Sequence, residues 1–195
     1  LSETEDFLRQ TGLFVNETIS RQLWKLTSGY PSLVLITCSI LRSKSKKEDF
    51  IRGIDTDEFL KEQSIEEKLA EYVWSAVDNN AKPVMQGIAI AHGWGVTNEA
   101  LTEIVETSNE LSEVLRFLTR DFLIRRTHEE RNDLEQAGKT KYIQDSVIET
   151  YCYYKGIKSD EERANLHLKA ARYYTKADRF KRHRDASKAA FHYFC

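Results

Sequence analysis

Apolar positions along the chain recur mostly three and four residues apart, the spacing of one helix face rather than the alternation of a strand. Phe7 and Leu8 fall in a first segment of about residues 2–10, which Gly12 ends, and Ile19, Leu23 and Leu26 repeat through a second over about 17–28. The run SLVLITCSIL behind Pro31 carries no charge until Arg42 and predicts a buried third helix. Between these two stands Gly29-Tyr30-Pro31. A glycine suits the left-handed residue that stops a helix, and a proline, lacking an N–H, suits the first position of the next. Residues 42–54, with RSKSKKED, read as a solvated turn and a short helix. Ile65, Leu69, Val73 and Val77 mark one side of an amphipathic helix over about 55–77, with a break near Ser64.

Asp78-Asn79-Asn80 predicts a domain boundary, because the pattern changes after it. A helix from Pro83 (VMQGIAIAH), a turn at Gly93-Trp94-Gly95, a helix from Thr97 (NEALTEIVE), a turn at Thr107-Ser108 and a helix through Leu111, Val114, Leu115 and Leu118 follow. Residues 122–127 and 140–143 read as two short strands around a polar loop, HEERNDLEQAGK. Three helices and then a hairpin is the order of a winged helix. Residues 145–195 return to helix, with Tyr-rich and Ala-rich faces suited to an array of helical pairs. Ser2 with Glu5, Asp55 with Glu58, Ser64 with Glu67 and Ser159 with Glu162 have capping-box spacing. The expected fold class is mainly α, with one short β-hairpin.

Composition narrows this picture. Among 195 residues, 41% are hydrophobic and 31% charged, with 2 Pro and 8 Gly, which suits a helical protein of two small domains or one domain with an extension. A formal net charge of −2 gives no overall attraction to nucleic acid or anionic lipid. The longest apolar stretch, residues 33–41, is about half a bilayer crossing. Neither a secretory signal nor a transit peptide opens the sequence. Cys38, Cys152 and Cys195 are scattered and odd in number, as expected of reduced thiols in a cytoplasmic chain. The start at Leu1 and the stop at Cys195 inside an apparent helix suggest a piece of a longer polypeptide.

Catalytic and metal chemistry find no support in the residue spacing. His92, His128, His167, His183 and His192 show no ligand pairing, and a lone histidine is ordinarily a surface or hydrogen-bonded residue. Cys152 lies in TYCYY, where packing accounts for it, and Tyr151, Tyr153, Tyr154, Tyr173 and Tyr174 suit an inter-helix core with surface to spare for a partner. Glu110 and Glu113 offset Arg116 and Arg120 on the third helix of the hairpin domain. The loop after it sets Glu129, Glu130, Asp133 and Glu135 against Arg131 and Lys139, which disfavours DNA. The run Arg179, Lys181, Arg182, His183, Arg184 is the better nucleic-acid candidate, although a charge run without interleaved aromatics beyond Phe180 ordinarily reads as a solvated turn between helices. No Gly-x-x-x-x-Gly-Lys-Ser/Thr loop occurs, nor an acidic strand end for magnesium, so this chain is not expected to be an enzyme or to hold ATP strongly by itself.

The order of a small helical bundle with a Gly-x-Pro corner, a winged helix and helical repeats resembles the middle of the STAND class of signal-transduction ATPases, related to AAA+ proteins. The resemblance spans nearly the whole chain and rests on order, since each motif alone is common. It implies a helical lid over 1–77, a winged-helix domain over 81–150 and the start of tetratricopeptide-like repeats over 151–195. It also implies that Pro31, with Gly29 and Tyr30, lies against the adenine of ATP or ADP held by an upstream nucleotide-binding domain of a longer parent. In that class a His-Asp pair after a hydrophobic residue often ends the winged helix, the His touching the β-phosphate of ADP. The aligned residues here are Ile143, Gln144 and Asp145, so a neutral amide, able to donate a hydrogen bond but never cationic, replaces the imidazole. Asp145 is expected to cap the following helix. The implied behaviour is a two-state switch, closed with ADP and oligomerising when a protein ligand on the repeats and ATP favour the open form. The residues alone also allow a nucleotide-independent winged-helix regulator of DNA, or a helical scaffold in which Gly29-Tyr30-Pro31 only turns the chain.

Overall fold

The computed structural model describes residues 6, 8–10, 13, 16–42, 47–55, 64–106, 110–128, 140–178 and 183–195. The Ser2–Glu5 and Asp55–Glu58 caps, the Thr107-Ser108 turn, most of the HEERNDLEQAGK loop and the Arg179–Arg182 part of the basic run lie outside them. The chain is mainly helical with one small three-stranded antiparallel sheet. Its packing divides it into two units, residues 1–78 with 120–123, and residues 79–119 with 124–195.

The first unit holds α1 (Glu17–Thr27), α2 (Pro31–Arg42), α3 (Lys47–Asp55) and α4 (Ile65–Ala76). Asn16 starts α1 by accepting from the Ile19 N–H, and Ser64 starts α4 by accepting from Glu67. Helix α2 packs against α1, α3 and α4, so it is buried nearly all round, which is why its sequence lacks charge. The short helix expected within residues 42–54 is α3, and beyond that expectation it seals Phe50 and Ile54 into the core. Residues 120–123 join this unit because the Ser39 hydroxyl donates to the Asp121 carbonyl and the Arg42 guanidinium lies 4.5 Å from the Phe122 ring centre.

The second unit runs α5 (Lys82–Ala89), β1 (Val96–Thr97), α6 (Asn98–Val105), α7 (Leu111–Arg120), β2 (Ile124–His128), β3 (Thr140–Gln144), α8 (Ser146–Tyr151), a π turn (Cys152–Gly156), α9 (Asp160–Asp178) and α10 (His183–Phe194). The sheet order is β1-β3-β2, with Val96 opposite Tyr142 and Ile124 opposite Gln144. Strand β1 is an addition to the expected hairpin: at two residues it is too short to show alternation. Thr97, Asp145 and Ser159 cap α6, α8 and α9 through side-chain oxygens that accept from Ala100, Val147 and Glu162. Helix α9 packs on α6, where Lys169 meets Glu106 at 3.0 Å, and α10 packs along α9.

Candidate functional site

At the α1–α2 corner, Ser28 and Gly29 both take positive φ (50° and 75°), which brings the Tyr30 N–H to 2.9 Å from the Thr27 carbonyl. The Thr27 hydroxyl donates to Leu23 and accepts from the Gly29 N–H, so the reversal is anchored from inside. Pro31 takes the first position of α2. The apex faces outward: Tyr30 is 66% and Trp24 44% exposed, Pro31 is exposed, and the Trp24 indole lies under Gly29, where an added Cβ would sit 3.5 Å from Nε1. This group offers flat apolar surface with the Tyr30 phenol at its edge, and is suited to binding a planar ring.

Gln144 belongs to the second unit and is 4% exposed. It closes β3 opposite Ile124, and its amide nitrogen points inward to Cys152 Sγ at 3.8 Å. Its Oε1 is buried without a hydrogen-bond partner. Burial pushes the Cys152 thiol up to about 12, so it stays protonated and unreactive. Gly29, Tyr30 and Pro31 therefore form one exposed corner, and Gln144 lies in the interior of the other unit.

A charged cavity of about 370 Å³ in the first unit is lined by Asp49, Arg52, Lys68 and Glu71 among others. Arg52 already meets Asp49 at 3.0 Å and Lys68 meets Glu71 at 3.6 Å, which leaves little net charge for a ligand.

The second unit also gathers three histidines that the sequence separates by 75 and 25 residues. His92 follows α5, His167 lies on α9 and His192 on α10. The Nδ1 atoms of His167 and His192 are 2.8 Å apart, the Tyr153 hydroxyl is 3.1 Å from His167 Nε2, and His92 stacks on His167 with ring centres 6.4 Å apart. Trp94 and Phe191 close the group at 4.8 Å. Burial, with the neighbouring His92 and Arg163, holds His167 down at about 4. Burial, with His167, His92 and Lys188, holds His192 at about 3. Tyr153 and Tyr174 belong to this cluster, whereas Tyr154 faces solvent. One signal in the sequence pointed here: Leu166, His167, Ala170, Ala171 and Tyr174 form a single helical stripe, and His192 follows Ala189 by three. Among the described residues no group of three or more His, Cys, Asp or Glu side chains is arranged to hold a metal ion. No described helix is long and apolar enough to cross a membrane.

Comparison with known families gives no matching family model, and comparison with curated proteins gives no matching relative. The residues and their geometry are what bear on function.

Proposed function

We propose that this chain is the regulatory portion of a nucleotide-controlled switch of the STAND class, comprising a helical lid, a winged helix and the first repeat helices. One observation carries the reading: an exposed Gly-x-Pro corner on a helical unit, followed by a unit ordered helix, strand, two helices, two strands, a short helix with its π turn and then a helical pair. That second order supports a winged helix, since the two-residue β1 is the strand a winged helix adds between its first two helices. The pair α9–α10 supports a repeat start.

In this reading the exposed face of Tyr30 and Pro31 meets the adenine, and the rest of the nucleotide is held by an upstream domain of a cytoplasmic parent chain. Phosphate binding and any hydrolysis belong to that domain. Gln144 would reach a phosphate only after leaving its contact with Cys152, so its part in retention depends on the conformational state. The distal repeats would take the activating protein ligand, and oligomerisation would accompany opening. Ligand and nucleotide control the switch only by binding its two states unequally.

The test is ADP release from the nucleotide-loaded parent. Pro31→Ala should accelerate it ~5–10-fold, the loss of about 1 kcal/mol of ring contact. Unchanged release would remove the corner from the nucleotide site. A DNA-binding regulator is the reading that the surface favours less: on α7, Arg116 lies 3.9 Å from Glu113, and Arg120 lies 2.8 Å from Asp121.

A further inference from the structure

We infer that the His167–His192 contact is a proton-sensitive latch that keeps α10 seated on α9 and on the turn after α5 only while both imidazoles are neutral. The inference does not depend on a nucleotide.

The geometry admits few proton arrangements. Two Nδ1 atoms at 2.8 Å can share one proton, so one ring donates and the other accepts. If His167 donates, its Nε2 accepts from the Tyr153 hydroxyl and His192 must carry its proton on Nε2. If His192 donates, His167 Nε2–H donates to Tyr153 and His192 Nε2 keeps a lone pair. In either case His192 Nε2 is buried without a partner. Protonating both rings would point two N–H groups at each other across 2.8 Å and leave a buried cationic N–H on His192 Nε2 with no protein acceptor.

The surroundings do not offset such charge. Facing the pair are His92 from the turn after α5, Tyr153 from the π turn, Arg163 and Tyr174 from α9, and Lys188 from α10, with Cys195 beyond Tyr153. Of the three histidines Glu149 of α8 meets His92, at 3.8 Å; it also accepts from the Gly93 backbone, and burial raises its own pKa. Asp160 pairs with Arg163 and also acts on Tyr153, but the side chains in contact with the two rings are themselves neutral or positive. His167 is 1% and His192 3% exposed, so water does not screen the added charge. Opening α10 returns both rings to water.

The sign follows from linkage. Both rings bind a proton more weakly in the closed state than at their ordinary 6.5, so the stabilisation is complete above 6.5 and is lost as pH falls toward 4 and 3. Between about pH 7.5 and about pH 5, opening should rise ~30-fold for each ring and ~10³-fold for the pair. A modest acidification would thus free the helix whose Phe191 packs against Trp94.

Hydrogen exchange by mass spectrometry on the 195-residue chain tests this. Protection in α10, corrected for the intrinsic pH dependence, should fall ~10³-fold over that range, with about two protons linked to opening near pH 5. His167→Asn and His192→Asn each keep a polar group near the Nδ1 position but do not titrate, and each should reduce the linkage to about one proton. Should either variant fail to fold, imidazole NMR of the wild type decides: both rings must remain singly protonated at about pH 5.5 in molecules whose α10 is protected. Protection in α10 that changes less than about threefold, an unchanged linkage in a folded variant, or a doubly protonated ring in the seated state would overturn the latch.

Discussion

The turn that carries His92 and Trp94 provides a sharp test of the local structure, through two glycines with the same backbone and different surroundings. Gly93 has φ 78° and Gly95 φ 71°, and both are left-handed. Alanine at either position bears the left-handed cost of about 1–2 kcal/mol. At Gly93 an added methyl group meets nothing within 4 Å, so the cost should end there. At Gly95 it would lie 2.9 Å from Ile143 Cγ2 and 3.1 Å from Lys141 Cβ, both on β3. Relief requires β3 to shift against β1, where Val96 pairs with Tyr142, and such crowding adds about 1–3 kcal/mol. Gly95→Ala should therefore destabilise the second unit by about 2–5 kcal/mol and Gly93→Ala by about 1–2 kcal/mol. Urea unfolding followed by far-UV circular dichroism, with a slope of about 2 kcal/mol per molar, should separate the two midpoints by ~1 M. Coincident midpoints would refute the close approach of the turn to β3.

Further expectations come from the same residues. Pro31→Ala should leave the stability of the first unit within about 1 kcal/mol in a thermal melt, because a first helical position tolerates alanine, so any change in nucleotide release would report contact and not unfolding. Gln144→Leu removes a buried oxygen that has no partner and should be neutral or stabilising by up to about 1 kcal/mol in urea; a loss above about 2 kcal/mol would mean that Oε1 is satisfied. Iodoacetamide at about pH 8 should label exposed Cys195 in the folded chain and spare Cys152, whose thiolate fraction there is ~10⁻⁴ from a pKa of about 12, with peptide mass spectrometry as the readout. Mixed-sequence duplex DNA at moderate salt should produce little change in fluorescence anisotropy, given the paired charges on α7, and micromolar binding would favour the DNA-regulator reading.

What the sequence disclosed was mostly local. Pro31 starts α2, Gly29 follows a left-handed Ser28, and Ser64, Thr97, Asp145 and Ser159 begin helices, because a cap or turn is decided within about four residues. Phe122, assigned in sequence to a strand, instead has φ 60° and sits in the turn before β2, where its ring lies 4.5 Å from the guanidinium of Arg42, 80 residues away in sequence. The attachment of residues 120–123 to the first unit has the same non-local origin. The candidate corner was legible because its geometry is the geometry of three adjacent residues. The inward turn of Gln144 was not, because it depends on Cys152 lying across the end of β3, beside a π turn in which the Ile157 N–H bonds to the Cys152 carbonyl. The histidine group was legible only in part: the stripe of Leu166, His167, Ala170, Ala171 and Tyr174 marks a buried face, but only the packing of α9 and α10 on the α5 turn brings the three rings together.

The central claim is that an exposed Gly-x-Pro corner and the unit after it serve a nucleotide held by an earlier domain of the same polypeptide. The most direct measurement is mass-spectrometric sequencing of the native polypeptide, isolated from its source cells, through the region before Leu1. The account predicts a Gly-x-x-x-x-Gly-Lys-Ser/Thr loop within about two hundred residues, roughly one domain length. A native start at or near Leu1, or a longer chain without that loop, would contradict it and leave Gly29-Tyr30-Pro31 as a turn in a binding module.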